Sequence, residues 1–426
     1  MSAAASRHRY RDLMTRDVRL WGLVALGAKV PVAMAPLALV FLSRGSPSGY
    51  ALGASSASAY VLGEVAGASV LGARLGRGRT RPQLAVGLAV GALAFCALPL
   101  AASAPSAVLI GLAFVAGAAP GACPGGIRAM LTGMVGEDAV PRALSAEATL
   151  TQIVWAAAPG LVVTLALQIH PGAPLMLGAL LAAAASVLIL RLPEPPELRE
   201  PRELLELREP RSASPSEASL TRTLLSGWPV YLTSAAAMAM LATAELVLPA
   251  LLDERRIAVG WSGPLLAGFA LAGAAGAFCY GLRTWPGSVR VQSLSLLAVT
   301  AGCLCLVAVS PGVPGVAAGL LLAGVFQSGV MVTRNLSLRE RLPRHAHAAA
   351  YSVMYATGAV GYSLTASLSA AALELAGPSA AILGGVAVTL LVTAVSAMAE
   401  TRSTMRTRSG LPAVADADHG RPSAGH

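Results

Sequence analysis

A few ionisable side chains fall inside long apolar runs of this sequence, and their presence there needs a chemical reason. Lys29, the only lysine in the chain, interrupts LWGLVALGAKVPVAMAPLALVFL, and Glu64 interrupts YALGASSASAYVLGEVAGASV. A charge held in lipid is costly unless it has a partner or faces a water-filled cavity. Each lies about eight residues from the arginine-flanked end of its run, roughly 12 Å deep at 1.5 Å per residue. Equal depth and opposite sign predict an ion pair between them. Two roles stay open for it. The pair is a static one that offsets two buried charges, or Glu64 takes up and releases a proton under the influence of Lys29.

Other polar residues extend the set. Glu245, in MLATAELVLP, either binds a proton or a cationic substrate in a cavity, or sits wetted at headgroup level beside Asp253 and Glu254. Arg128 and Glu147 fall at similar depth in neighbouring runs and are candidates for a pair tying two helices at an inner gate, with Arg334 at the matching place in the second half. Arg128 also reads as a simple membrane anchor. Gln152, Trp155, Gln327 and Tyr355 are candidates for lining a cavity, although glutamine in a span often bonds a neighbouring helix instead.

The elements that must hold these residues follow from composition. Of 426 residues, 55% are hydrophobic and 12% charged, against about 25% charged in soluble proteins. Such a chain must be solvated mainly by lipid. Its apolar runs are long enough for helices that span a bilayer, which need about 20 residues. They predict twelve spans: Leu20–Leu42, Tyr50–Gly72, Leu84–Ala102, Ala107–Val135, Leu144–Ile169, Pro174–Leu192, Leu224–Leu252, Ser262–Leu282, Val291–Ser310, Val313–Leu336, Ala346–Leu375 and Ser379–Ala399. The expected organisation is a six-helix bundle over 1–192, a charged cytoplasmic linker over 193–222, a second six-helix bundle over 223–400, and a disordered cytoplasmic tail over 401–426. The linker includes ELREPRELLELREPR, with a short surface helix expected around Glu203–Arg208.

Arginine placement sets the orientation. With the N-terminus inside, the external loops carry only Arg44, Arg255 and Arg256, and nearly all the other arginines fall in cytoplasmic segments. Both termini are therefore expected in the cytoplasm. The net charge of +10 is explained by these basic flanks and not by nucleic-acid binding. The halves echo each other weakly: Arg128 is followed by Pro141-Arg142, and Arg334 by Pro343-Arg344. A six-plus-six repeat with a midplane site is a transporter architecture.

The residues also resemble the major facilitator superfamily. After the second span that family carries approximately Gly-x-Leu-Ala-Asp-Arg-x-Gly-Arg-Arg. Here the run is SVLGARLGRG, with Arg74, Gly76 and Arg77 on the Arg-x-Gly-Arg positions, Ala73 in place of the aspartate and Ser69 in place of the leading glycine. The equivalent LRTWPGSVR of the second half is more degraded. The resemblance implies an all-α membrane protein of two pseudo-symmetric bundles, and a gate role for the loop after span two that the lost aspartate weakens. VPVAMAPLALVFL and RALSAEATLTQIVWAAAPGL are similar to actinobacterial drug and metabolite exporters.

The expectation is a secondary transporter, with proton-coupled efflux of a drug or metabolite first and uptake of a metabolite second. A non-transporting sensor or scaffold is the third reading. The expected setting is the plasma membrane, as a multi-pass monomer. Small-molecule substrate, protons and lipid are the expected partners. No Walker-type lysine loop, metal-ligand cluster or catalytic His/Asp/Glu set occurs in the sequence, so neither enzyme activity, cofactor nor metal is expected. The five cysteines, all in apolar runs, read as small apolar filler.

Overall fold

A lipid-facing backbone must satisfy its own polar groups, and helices do this within one segment. The computed structural model describes residues 10–44, 49–75, 80–193 and 217–409. Within them the apolar runs form α1 (Arg16–Ser43), α2 (Gly49–Val70), α3 (Thr80–Leu100), α4 (Ser106–Ala118), α5 (Cys123–Met134), α6 (Val140–Gln168) and α7 (Ala173–Leu188). A short α8 (Glu217–Ser226) precedes α9 (Trp228–Glu254), α10 (Ser262–Gly281), α11 (Val289–Val309), α12 (Val313–Arg341) and α13 (His347–Ser409).

Two elements differ from the simple count of spans. The expected fourth span is two helices, α4 and α5, parted at Ala119–Ala122 by Pro120 and Gly121; proline cannot donate into the ladder. The last two spans run on as α13, bent at Gly377, whose φ of 80° before Pro378 lies where glycine alone is comfortable. Among the described residues, ten segments are long and apolar enough to cross a membrane, with Ser106–Met134 taken as one. The α2 helix and the first arm of α13 complete the twelve expected spans. Helix α13 continues to Ser409, past the expected start of the tail, and α8 begins inside the expected linker. The expected surface helix at Glu203–Arg208 lies outside the described residues.

Helices α1–α7 pack mainly against one another, as do α9–α13. Small residues set how closely. Gly63 and Gly67 of α2 face Gly117 and Gly121 of the α4–α5 strand of chain. A Cβ at Gly67 would stand 2.0 Å from Ala118 O, and one at Gly117 2.1 Å from Tyr60 O. The four-residue spacing on both partners lets two backbones touch, and it fixes Glu64 against the α4–α5 break. The two groups of helices meet along α6 with α10 and α12, and along α2 and α5 with the first arm of α13. An apolar seam of Val140, Leu144, Tyr280, Val332 and Leu336 joins them at the arginine-rich end.

Candidate functional site

The site lies where the two groups of helices meet. Lys29 does not make its bond to Glu64. Its Nζ donates to Glu147 Oε1 at 2.8 Å and to Thr151 Oγ1 at 2.9 Å. The direction differs from the expectation: Lys29 faces α6, not its chain neighbour α2. Glu147 also takes Arg128, with Nε to Oε2 at 2.8 Å and Nη2 to Oε1 at 2.9 Å. This bidentate fork is the geometry guanidinium and carboxylate favour. The Arg128–Glu147 pair expected from the sequence is thus present, with Lys29 as its third member.

Glu64 instead reaches the other half of the molecule. Tyr355 donates its hydroxyl to Glu64 Oε1 at 2.6 Å, linking α2 to α13. One turn earlier on α13, Tyr351 lies under Arg128, 5.6 Å from guanidinium carbon to ring centroid. Two turns later Tyr362 donates to Glu245 Oε2 at 2.9 Å, so Glu245 has a protein partner. Tyr351, Tyr355 and Tyr362 share a face of α13, because steps of four and seven residues return to nearly the same side of a helix. That spacing was present in the sequence as a signal for Tyr351 and Tyr362.

The remaining candidates separate. Gln152 crosses to α10, where a Cβ on Gly273 would stand 2.3 Å from its Nε2. Gln327 donates to Ala237 O at 2.6 Å, a helix-to-helix bond within the second half. Arg334 is fully buried on α12, its Nη2 3.4 Å from Ser337 Oγ. Trp155 is half exposed. Arg74 closes the turn after α2, whereas Gly76 and Arg77 lie outside the described residues.

Between this cluster and the arginine-rich end the halves are sealed. Ser352 fills the space over two glycines: a Cβ on Gly72 would come 2.2 Å from Ser352 Cβ, and one on Gly125 2.2 Å from Ser352 Oγ. Tyr10 stacks on Phe278 at 4.5 Å and donates to its carbonyl at 2.8 Å. At the surface Glu137 of the first half accepts from Arg339 at 2.8 Å and Arg344 at 2.7 Å of the second. The sequence reading missed this clamp, since Glu137 and its partners lie about 200 residues apart.

Residues 22–285 match the Major Facilitator Superfamily. The chain belongs to that superfamily. Three solved structures show the same fold. One is the human organic anion transporter MFSD10 (TETRAN), at 16% identity and TM-score 0.69 over 89% of this chain and 99% of that one. Another is a bacterial homologue of the iron transporter ferroportin in its outward-facing state, at 18% and 0.69 over 91% and 100%. A third is the E. coli fucose:proton symporter FucP, at 14% and 0.64 over 90% and 99%. No curated protein matches the sequence. The protein is thus a multi-pass membrane protein with the fold of a secondary transporter.

Proposed function

We propose that this protein is a proton-coupled secondary transporter that moves a small molecule across the plasma membrane by alternating access, with the arginine-rich end in the cytoplasm. The observation that carries the reading is the Tyr355–Glu64 hydrogen bond, a protonatable group used as a tie between the two moving halves. As a carboxylate, Glu64 accepts a charge-assisted bond, roughly twice as strong as a neutral one. A proton on Glu64 weakens the tie at the closed end. Opening and protonation are then linked, as any two events are when one changes the free energy of the other. Lys29, Glu147 and Arg128 hold the neighbouring wall in place, and Arg74 closes the turn that follows α2. Glu245 with Tyr362 is a second protonatable station on the same helix.

Export of a drug or metabolite is the direction that the resemblance to exporters supports. The test is compound accumulation in cells stripped of their own pumps, comparing wild type, Glu64→Gln and empty vector, with and without a protonophore. Lower accumulation that needs both Glu64 and the gradient supports export. Accumulation equal to empty vector for every compound, with protein present in the membrane, removes it.

Uptake is the second reading, and the site gives it a specific argument. Two cations share one carboxylate in the Lys29–Glu147–Arg128 triad, which suits an anion entering with a proton. MFSD10, of the same fold, is described as an organic anion transporter.

A further inference from the structure

We infer that the Lys29–Glu147–Arg128 triad is a binding subsite for the anionic group, carboxylate or sulfonate, of an organic substrate. The inference rests on the transport reading and adds the substrate's charge to it.

Three observations carry it. The triad holds two positive groups and one negative group, so it keeps a net positive charge within the membrane. What surface the triad has belongs to its cations: the Glu147 side chain is 3% exposed, those of Lys29 and Arg128 16% and 14%. Both cations also keep donors in reserve. An ammonium has three N–H groups, of which Glu147 and Thr151 use two; a guanidinium has five, and the fork to Glu147 uses Nε and Nη2 and leaves Nη1. An anion arriving at this wall meets unspent donors on two cations already held in place, and pre-positioned donors lower the ordering cost of binding.

The neighbouring groups frame the subsite. Tyr351 lies across the face of Arg128 and fixes the plane of the fork. Thr151 donates its hydroxyl to Glu147 O, so its oxygen lone pairs are turned toward Lys29. A cationic ligand would face like charge from both Lys29 and Arg128.

The experiment is thermal unfolding of the purified full-length protein in detergent with naphthoate, naphthylmethanol or naphthylmethylammonium, one ring carrying negative, no or positive charge. Sodium chloride at matched ionic strength is the baseline. Naphthoate is expected to raise Tm above the alcohol and the ammonium compound. Its half-saturating concentration is expected to rise about tenfold in Lys29→Met, a loss of one charged contact, and to stay near wild type in Lys29→Arg. Glu147→Gln, which removes the internal competitor for both cations, is expected to lower it. Equal or greater stabilisation by the ammonium compound overturns the inference. So does a naphthoate effect that is absent, or undiminished in Lys29→Met. A Lys29→Met protein that does not fold transfers the decision to Glu147→Gln, whose tighter naphthoate binding does not follow from a structural role; unchanged or weaker binding there overturns the inference. The transport reading fails separately, when reconstituted protein moves none of the three compounds across a vesicle membrane.

Discussion

Glu64 and Glu147 are both buried carboxylates, yet their partners assign them different work. Glu147 is held by two cations of its own half, and removing it leaves both of them part-buried without their counter-charge. Breaking such a buried pair costs about 3–5 kcal/mol, so Glu147→Ala is expected to lower Tm strongly in a thermal unfolding assay. Lys29→Met leaves the Arg128 fork intact and is expected to cost clearly less; equal losses would dissolve the distinction. Glu64 has a neutral partner from the other half. Glu64→Gln keeps an acceptor for Tyr355 but cannot titrate. Reconstituted Glu64→Gln protein is expected to exchange substrate across the membrane at equilibrium while losing accumulation driven by a pH gradient. Retained accumulation would move the proton site elsewhere, with Glu245 as the next group to change. The sequence marked every one of these charged residues, because charges in apolar runs are rare. It could not pair Lys29 with Glu147 or Glu64 with Tyr355, since depth follows from counting residues whereas direction follows from which helices become neighbours.

At the level of elements, glycine spacing decides what touches. The α2–α4 contact was readable from Gly63, Gly67, Gly117 and Gly121, each pair four residues apart. The contact of Gly72 and Gly125 with Ser352 was not, because its members come from three distant segments. A methyl group at Gly125 would stand 2.5 Å from Ser352 N, a backbone atom that cannot turn aside. Gly125→Ala is therefore expected to favour the arrangement open at the arginine-rich end. A cysteine placed at Ser352 in that background should react faster with a membrane-impermeant thiol reagent applied from that side. Gly111→Ala, with nothing within 4 Å of the added carbon, is the matching control. Equal labelling in both backgrounds would show that the seal does not depend on this approach. The α4–α5 break was less legible, because Pro120 within a span reads from the sequence as a kink as easily as a gap.

Across the whole molecule, the twelve spans and the two groups of six were legible because lipid enforces length and hydropathy. The clamp of Glu137 on Arg339 and Arg344 was not, since it belongs to the surface between loops. Glu137 and Arg344 are each about 60% exposed, and exposed pairs contribute only about 0.2–1 kcal/mol. Glu137→Gln is expected to change the transport rate by no more than about fivefold and to leave folding intact. Raising salt should narrow the gap between variant and wild type, because exposed charges are screened. A large, salt-insensitive effect would mean that Glu137 acts through something other than these two arginines. The seam beneath the clamp has a kinetic consequence of its own. Two glycines face a single serine there, so at this point no side chain must withdraw from a pocket or change rotamer before the halves separate. On the alternating-access reading proposed above, friction at this point of the seam is low, and the polar bonds that must let go, foremost the one between a tyrosine and a carboxylate, are expected to pace each cycle.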